Sequence, residues 1–355
     1  MAQQLVISVD AMGGDYGPSV VIGGIKAALE RHPKARFILH GDEAVIRPLI
    51  TDEALANVCE VRHAASAVAM DAKPSQALRQ GRESSMGRAL QAVAQGEAAV
   101  AVSAGNTGAL MALAIFALRK LPGISRPAIA ALWPTRIGET VVLDVGANVD
   151  CDAEQLVSFA IMGAAFARVL FGLEQPTVGL LNIGTEIVKG NDAVKAAAQI
   201  LKETPLAFNF HGFVEGTDIS AGTVDVVVTD GFTGNVALKT AEGTAKLVAY
   251  YLSTALRRSW MAKLGALFAS GAFRALKAKM DPRSVNGGVF LGLNGLVVKS
   301  HGGTDAIGFG AALDMAVDMA SADLVKKIAA DAVRMKTEEP AATTEPASIS
   351  GASAT

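Results

Sequence analysis

TVGLLNIGTEIVKGNDAVKAAA, residues 177–198, runs from an apolar segment of strand length through a polar loop into a helical repeat without a break. Val178, Leu180, Leu181 and Ile183 form the apolar segment, and Ala193, Val194, Ala197 and Ile200 recur at helical spacing after it. The loop is therefore a strand-to-helix turn. It carries Asn182, Gly184, Thr185, Glu186, Lys189, Gly190 and Asn191, with Asn191 or Asp192 placed to cap the helix. Such a turn aims backbone N–H groups and a helix dipole at one spot, and Lys189 adds a positive charge beside them, which outlines an anion site. A single loop of this kind is as easily a solvated connection whose lysine faces water. Repetition decides between the two.

The same pattern recurs along the chain. Leu5 to Val9 reads as a strand running into Asp10, Met12, Gly13, Gly14, Asp15, Gly17 and Pro18, and then a helix. Ala98 to Val102 runs into Ser103, Ala104, Gly105, Asn106, Thr107 and Gly108. Thr140 to Val145 ends in Asp144, Gly146, Ala147, Asn148 and Asp150. Val224 to Thr229 ends in Asp230, Gly231, Phe232, Thr233, Gly234 and Asn235. Leu296 to Lys299 leads into Ser300, His301, Gly302, Gly303, Thr304 and Asp305, opening a helix through about Met319 that extends toward Met335. Alternating strands and helices predict a mostly parallel sheet between helical layers, with ligands beyond the carboxyl ends of the strands. Glycine totals 36 residues, roughly one in ten against a usual ~7%, and much of the excess sits in these turns. Six such turns on one edge predict a phosphate-bearing or polyanionic ligand.

Composition narrows the field. At 355 residues the chain suits one large α/β unit over 1–335, or two joined lobes; from Lys336 onward Pro, Ala, Ser, Thr and Glu predict a disordered tail. Hydrophobic residues are 51% and aromatic residues only 5%, so the core must be built from small aliphatic side chains. Mean hydropathy is +0.35, yet no apolar run reaches the ~20 residues that span a bilayer, and Met1 to Asp10 enters a strand too quickly for a signal peptide. The chain reads as cytoplasmic. A net charge of −2 argues against nucleic acid as a partner. Cys59 and Cys151 lack metal or disulfide spacing; Cys151 follows a polar loop and offers a thiol nucleophile, against the better reading of a small buried filler. G-x-G-x-x-G after an early strand, the P-loop signature and G-x-S-x-G are all missing, which disfavours dinucleotide, P-loop nucleotide and serine-hydrolase chemistry. Asp10, Asp15, Asp144, Asp150 and Asp230 could gather round Mg²⁺ if their strand ends met, but acidic residues at helix starts are equally expected as caps, and no metal or cofactor is assigned. Between Lys73 and Gln95 a helix interrupted near Gly81 offers Arg79, Arg82, Ser84 and Ser85 as further contacts or as a solvated face.

The stretches VDAMGGDYGP from Val9, SAGNTGAL from Ser103, LDVGANVD from Leu143, GLLNIGTE with KGN around Lys189, VVVTDGFTGNVALK from Val226 and GGVFLGLNG from Gly287 together carry a family likeness. Over nearly all of Leu5 to Met335 the chain resembles the bacterial phosphate acyltransferases of phospholipid synthesis, the PlsX family. Ile187 and Val188 depart from that pattern, being apolar where a polar pair is expected. The resemblance implies a homodimeric three-layer α/β/α fold similar to isocitrate and isopropylmalate dehydrogenases and to phosphotransacetylase, used without a nucleotide. It implies acyl transfer from acyl carrier protein to inorganic phosphate, with the acyl phosphate passed to a membrane glycerol-phosphate acyltransferase. Bound phosphate attacks a thioester carbonyl, so the site must hold a dianion and stabilise an oxyanion. Lys189 is the expected contact to phosphate or oxyanion, and His301 the weaker candidate for protonating the departing thiol. Asp10, Gly13, Gly14, Ser103, Asn106, Thr107, Asn148, Asn182, Thr185, Asp230, Gly231, Thr233 and Asn235 make up the expected substrate-binding turns.

One segment differs from all the rest. From Gly243 to Met280 there is no acidic residue, while Lys246, Arg257, Arg258, Lys263, Arg274, Lys277 and Lys279 are basic. Leu252, Leu256, Trp260, Leu264, Leu267 and Phe268 share one helical face, and Gly265 and Gly271 suggest two short helices. A protruding segment over 252–283 is expected to touch the membrane reversibly through Leu256, Trp260, Leu264 and Phe268; a dimer interface or a docking patch for acidic acyl carrier protein are the alternatives.

Overall fold

In the computed structural model, residues 5–204, 206–273 and 287–337 are described. The chain opens with β1 (Val6–Asp10), α1 (Pro18–Arg31), β2 (Arg36–Gly41), the short α2 (Glu43–Ile46) and α3 (Glu53–Ala56), and β3 (Cys59–His63). It continues through α4 (Pro74–Gln80), α5 (Ser85–Ala94), β4 (Val100–Ser103), α6 (Thr107–Leu118), β5 (Ala128–Pro134), β6 (Glu139–Leu143) and α7 (Ala153–Phe171). Then come β7 (Thr177–Leu181), α8 (Asp192–Glu203), β8 (Asn209–Val214), α9 (Gly216–Ala221), β9 (Val226–Val228), α10 (Gly231–Arg257) and α11 (Trp260–Phe268). The last described elements are β10 (Gly288–Leu291), β11 (Leu296–Lys299), α12 (Ala306–Ser321) and α13 (Leu324–Thr337). The strands form one 11-stranded sheet in the order β3-β2-β1-β4-β11-β10-β5-β6-β9-β7-β8.

Helices cover both faces. Ile7, Val9, Val102, Leu143 and Val228 point to the face holding α1, α7, α8 and α12. Ala101, Val142, Val227 and Val297 point to the face holding α4, α5, α6 and α9, against which α10 rests Ala237, Leu238 and Ala241. Phe159 and Phe166 of α7 are fully buried, so truncating either to Ala would cost about 3–5 kcal/mol. α7 is also long and apolar enough to cross a membrane, but its buried residues make it the central helix of the core.

The sheet is parallel only by halves. β3, β2, β1, β4 and β11 run one way, and β6, β9, β7 and β8 run the other, because β10 and β5 between them are each antiparallel to both neighbours. This corrects the expectation of six turns on one edge. The turns after β1, β4 and β11 share one edge, while those after β6, β9 and β7 lie at the opposite one. β10, to which the sequence patterning assigns no element, is one of the two strands responsible.

The turn residues stop strands and start helices as their chemistry predicts. Asn106 accepts from Ala109 N–H at 2.8 Å, Asn191 from Val194 at 2.9 Å, Asp230 from Thr233 at 2.7 Å and Asp305 from Gly308 at 3.0 Å. The helix read from Ser300 to Met335 is two helices, parted at Ala322 and Asp323, where Asp323 takes a left-handed conformation (φ 54°). From Gly243 to Phe268 no residue of α10 or α11 is buried. Residues 274–286, including Arg274, Lys277 and Lys279, and the tail beyond Thr337 lie outside the described residues.

Candidate functional site

The edge carrying the ends of β1, β4 and β11 gathers three turns and the N-termini of α1, α6 and α12, three long helices whose dipoles favour an anion there. Asp15 N–H donates to the Gly302 carbonyl at 2.9 Å, joining the first turn to the third. The approach is so close that a Cβ on Gly13 would stand 2.7 Å from Gly105 N and 2.6 Å from Asp10 Oδ2. Gly14 has φ +92°, and a Cβ there would stand 3.0 Å from the Gly302 carbonyl, so this close approach requires glycine.

Register places a polar row beneath the lip. Asp10 pairs with His40 on one side and Ser103 on the other, and Ser103 pairs with Lys299, so adjacent parallel strands align all four on one level. Ser103 Oγ donates to Asp10 Oδ2 at 2.7 Å, and Met12 N–H approaches Oδ1 at 3.3 Å. Burial raises the Asp10 pKa above the usual carboxylate value, while these donors oppose the rise. Ser85 of α5 is buried beside the same carboxyl, its Oγ making no well-formed hydrogen bond among the described residues. The Lys299 ammonium donates to the carbonyls of Ala104 (3.3 Å) and Ser300, which pin it to the lip. Burial pulls its pKa down from 10.5 to about 8, Lys239 pulling the same way and Asp10 and Asp15 opposing.

α10 ties the two edges together. Its first turn is locked onto the opposite edge: Gly231 N–H donates to the Asn148 carbonyl at 2.7 Å, and Gly234 and Asn235 lie against Asp144 and Gly146. One turn beyond Asn235, Lys239 reaches back to the first edge, with Nζ 3.1 Å from His301 Nε2 and 2.8–2.9 Å from both Glu242 oxygens. His301 Nδ1 accepts from the Gly303 N–H at 3.2 Å. Burial and then Lys239 lower its pKa below the ordinary imidazole value. That disfavours His301 as the acid its sequence context suggested.

The second edge uses its polar residues internally. Asp144 accepts from the N–H groups of Ile129, Gly146, Ala147 and Asn148 and from Asn148 Nδ2, at 2.7–3.2 Å. Asn148 Nδ2 also donates to the Pro127 carbonyl, and Thr233 Oγ1 donates to its own cap, Asp230. These aspartates serve the backbone. Farther along, Asn182 Nδ2 donates to the Lys189 carbonyl at 3.2 Å, Thr185 is exposed, and Lys189 is half-exposed 3.9 Å from Glu186. On the first edge Asn106 holds the Met70 carbonyl at 2.5 Å besides capping α6, whereas Thr107, the first residue of α6, is only partly buried. Register sets Lys299 level with Val142, so Asp144 is about 7 Å along and three strands, about 14 Å, across from it. Lys189 follows β7, two strands farther still. The sequence reading missed Lys239, Lys299 and His40. Lys239 stands four residues after Asn235 on the same helical face, and Lys299 is the one charge in an apolar strand; those were the available signals.

Burial pushes the Cys151 thiol up to about 12, with Asp144 and Asp230 adding to the rise, so it is no nucleophile at neutral pH. Arg82 stacks on Phe116 at 3.8 Å beside a hollow of about 270 Å³ between α5 and α6, away from both edges. The Leu256, Trp260, Leu264 and Phe268 stripe is exposed on α11 and partly buried at Leu256; Trp260 and Phe268 are 73% and 83% accessible.

Comparison with known proteins follows this geometry. The profile of a family described as fatty acid synthesis protein matches residues 5–327. A relative from Parvibaculum lavamentivorans, named phosphate acyltransferase, is 61% identical over 337 residues, covering 94% of this chain and 93% of its own. Among solved structures, EutD phosphotransacetylase from Staphylococcus aureus superposes with a TM-score of 0.55 at 18% identity, covering 91% of this chain and 94% of that one. A 4-hydroxythreonine-4-phosphate dehydrogenase from Klebsiella pneumoniae gives 0.54 at 12% identity, covering 90% and 99%. At such identities these two share the fold alone, a mostly parallel α/β/α sheet of the dehydrogenase and phosphotransacetylase kind. With the matched profile spanning most of the chain and its relatives so named, the chain belongs to the phosphate acyltransferase family of fatty acid and phospholipid synthesis and is an acyltransferase.

Proposed function

We propose that this enzyme moves a fatty acyl group from an acyl carrier protein thioester to inorganic phosphate, releasing acyl phosphate for phospholipid synthesis. The observation that carries this reading is the convergence of the β1, β4 and β11 turns, with glycine backbone and three helix N-termini, beside Lys239 and Lys299. Phosphate sits against the N–H groups of that lip, one oxygen directed at the thioester carbonyl, whose developing oxyanion faces the Lys239 ammonium. No covalent enzyme intermediate is required. Lys189 with the Asn182 and Thr185 loop, expected to meet phosphate or oxyanion, follows β7, five strands from β11, and has no part in this step.

Purified protein mixed with acyl carrier protein thioester should release free carrier and acyl phosphate only when phosphate is present. Release without phosphate dependence overturns the reading, and faster turnover of the matching coenzyme A thioester transfers it to a phosphotransacetylase type of donor.

We further propose that the enzyme is a cytoplasmic homodimer that touches the inner membrane surface reversibly through α11, handing acyl phosphate to a membrane glycerol-phosphate acyltransferase. Exposed Trp260, Met261, Leu264, Leu267 and Phe268 on a segment without acidic residues support the membrane contact, and exposed Phe232 and Val236 on α10 support pairing. Sedimentation with anionic vesicles tests the contact: a Trp260→Ala, Leu264→Asp, Phe268→Asp triple variant should stay in the supernatant. Equal binding by variant and parent removes α11 from the membrane.

A further inference from the structure

We propose that Lys299 is a catalytic proton shuttle of the acyl transfer, its side-chain nitrogen taking the proton of the attacking hydrogen phosphate and delivering it to the departing thiol sulfur. This rests on acyl transfer to phosphate being the reaction. The step balances without another reactant. A phosphate oxygen bonds to the carbonyl carbon, the carbon–sulfur bond breaks with its electron pair going to sulfur, and the phosphate proton reaches that sulfur through Nζ. The amine ends in the state in which it began, and the products are acyl phosphate and free thiol.

Lys299 is the last residue of β11, one strand from Ser103 and two from Asp10, at the lip where three turns meet. Its two carbonyl acceptors, Ala104 and Ser300, belong to two of those turns, so Nζ is held at the junction and not swept outward as surface lysines are. An amine bound to neutral carbonyls can give up a proton without leaving a carboxylate unpaired.

The other titratable groups at this edge are less suited. Lys239 bonds both Glu242 oxygens, an ion pair that fits it for electrostatic duty. His301 accepts from Gly303 at Nδ1, and burial and Lys239 lower its pKa, which counts against it as the acid. Asp10 is buried under the lip and taken up by Ser103 and Met12. Asp15 is exposed beside Gly303. The charges acting on Lys299 are then Asp10 and Asp15 from the β1 turn and Lys239 from α10, with His301 two residues on. Burial outweighs the two aspartates and brings the amine to about 8, where both protonation forms are populated near neutrality and a shuttle works best.

The test uses Lys299→Arg, Lys299→Ala and the parent with acyl carrier protein thioester and phosphate from pH 6 to 9.5, with circular dichroism as the folding check. Arginine keeps the charge but stays protonated throughout this pH range and cannot cycle a proton, so kcat should fall about 10²-fold while KM for phosphate changes less than about threefold. The limb of the parent pH profile near 8 should vanish in both variants, and small primary amines should partly restore Lys299→Ala. Near-parental kcat in Lys299→Arg, or a loss confined to KM for phosphate, overturns the proposal and leaves Lys299 as a binding charge. A separate reading comes from competitive labelling with trace acetic anhydride and peptide mass spectrometry, which should find the Lys299 amine titrating near 8. Titration at an ordinary lysine value also overturns it, even were the parent inactive with phosphate, an outcome that would sink the proposed function instead.

Discussion

The two edges of the sheet carry turns of nearly the same composition and use them in opposite ways. After β6, Asp144 collects five N–H donors from its own surroundings, and Asn148 and Thr233 spend their side chains on backbone or caps. After β1, Asp10 takes the Ser103 hydroxyl and the Met12 amide, with Gly13 and Ser85 beside it, and two lysines stand next to the glycine lip. A strand-to-helix turn rich in Gly, Asn and Asp is thus either a self-satisfied joint or a ligand cradle. What separates them is how many N–H groups the buried carboxylate takes up, five at Asp144 against fewer at Asp10, and whether lysines stand beside the turn.

Asp144→Ala should break the joint most severely. It strands several buried donors, so the stability loss should be about 3 kcal/mol or more in urea unfolding, while the surviving folded enzyme keeps its KM for phosphate. A stable variant would mean the second edge is not self-satisfied. Gly13→Ala should damage the cradle instead. Its Cβ collides with Gly105 N and Asp10, and the resulting displacement should lower kcat/KM about 10²-fold with a smaller loss of stability.

His40 sharpens the contrast from behind the cradle. It is buried with both ring nitrogens unpartnered among the described residues, and burial, with Arg62 and Arg88 adding, lowers its pKa to about 4. The unfolded chain takes up a proton near 6.5 and the folded chain does not, so stability falls as pH drops from about 6.5 toward 4. Between pH 7 and 5 the loss attributable to His40 should be roughly 2 kcal/mol. Chemical denaturation at the two pH values should show a shallower dependence in His40→Leu; an unchanged slope would clear His40. Smallest is the paired lysine test. Lys239→Ala should cost about tenfold in kcat/KM and Lys189→Ala less than about twofold, since only the first faces the cradle. The reverse order would transfer the chemistry to the second edge.

The sequence made the strands and turns legible because their signals are local. The β11 strand, the caps at Asn106, Asn191 and Asp230, and the break at Gly81 all follow from residues within a few positions of one another. Strand direction has no such signal. A strand buried on both faces reads as a plain apolar run whichever way it points. GVFL of β10, four residues between glycines, is too short to announce itself, and the reversal at β10 and β5 divided a site that had been drawn as one. Lys239 was hidden for a related reason. On a helix a lysine looks like solvent face, and only the path of α10 across the sheet brings it to His301.

That path has a mechanical side. α10 is 27 residues long, about 40 Å, clamped at its glycine-lined start and unburied past Gly243. A rod held at one end magnifies angle into travel. A tilt of about 5° about Gly234 displaces Lys239 by less than about 1 Å, yet it swings the far end, where α11 begins, through about 3 Å. Read in the other direction the gearing is reductive: ångström-scale jostling of the apolar tip reaches the lysine as tenths of an ångström, which leaves the Lys239–His301 contact insulated from whatever surface the tip meets.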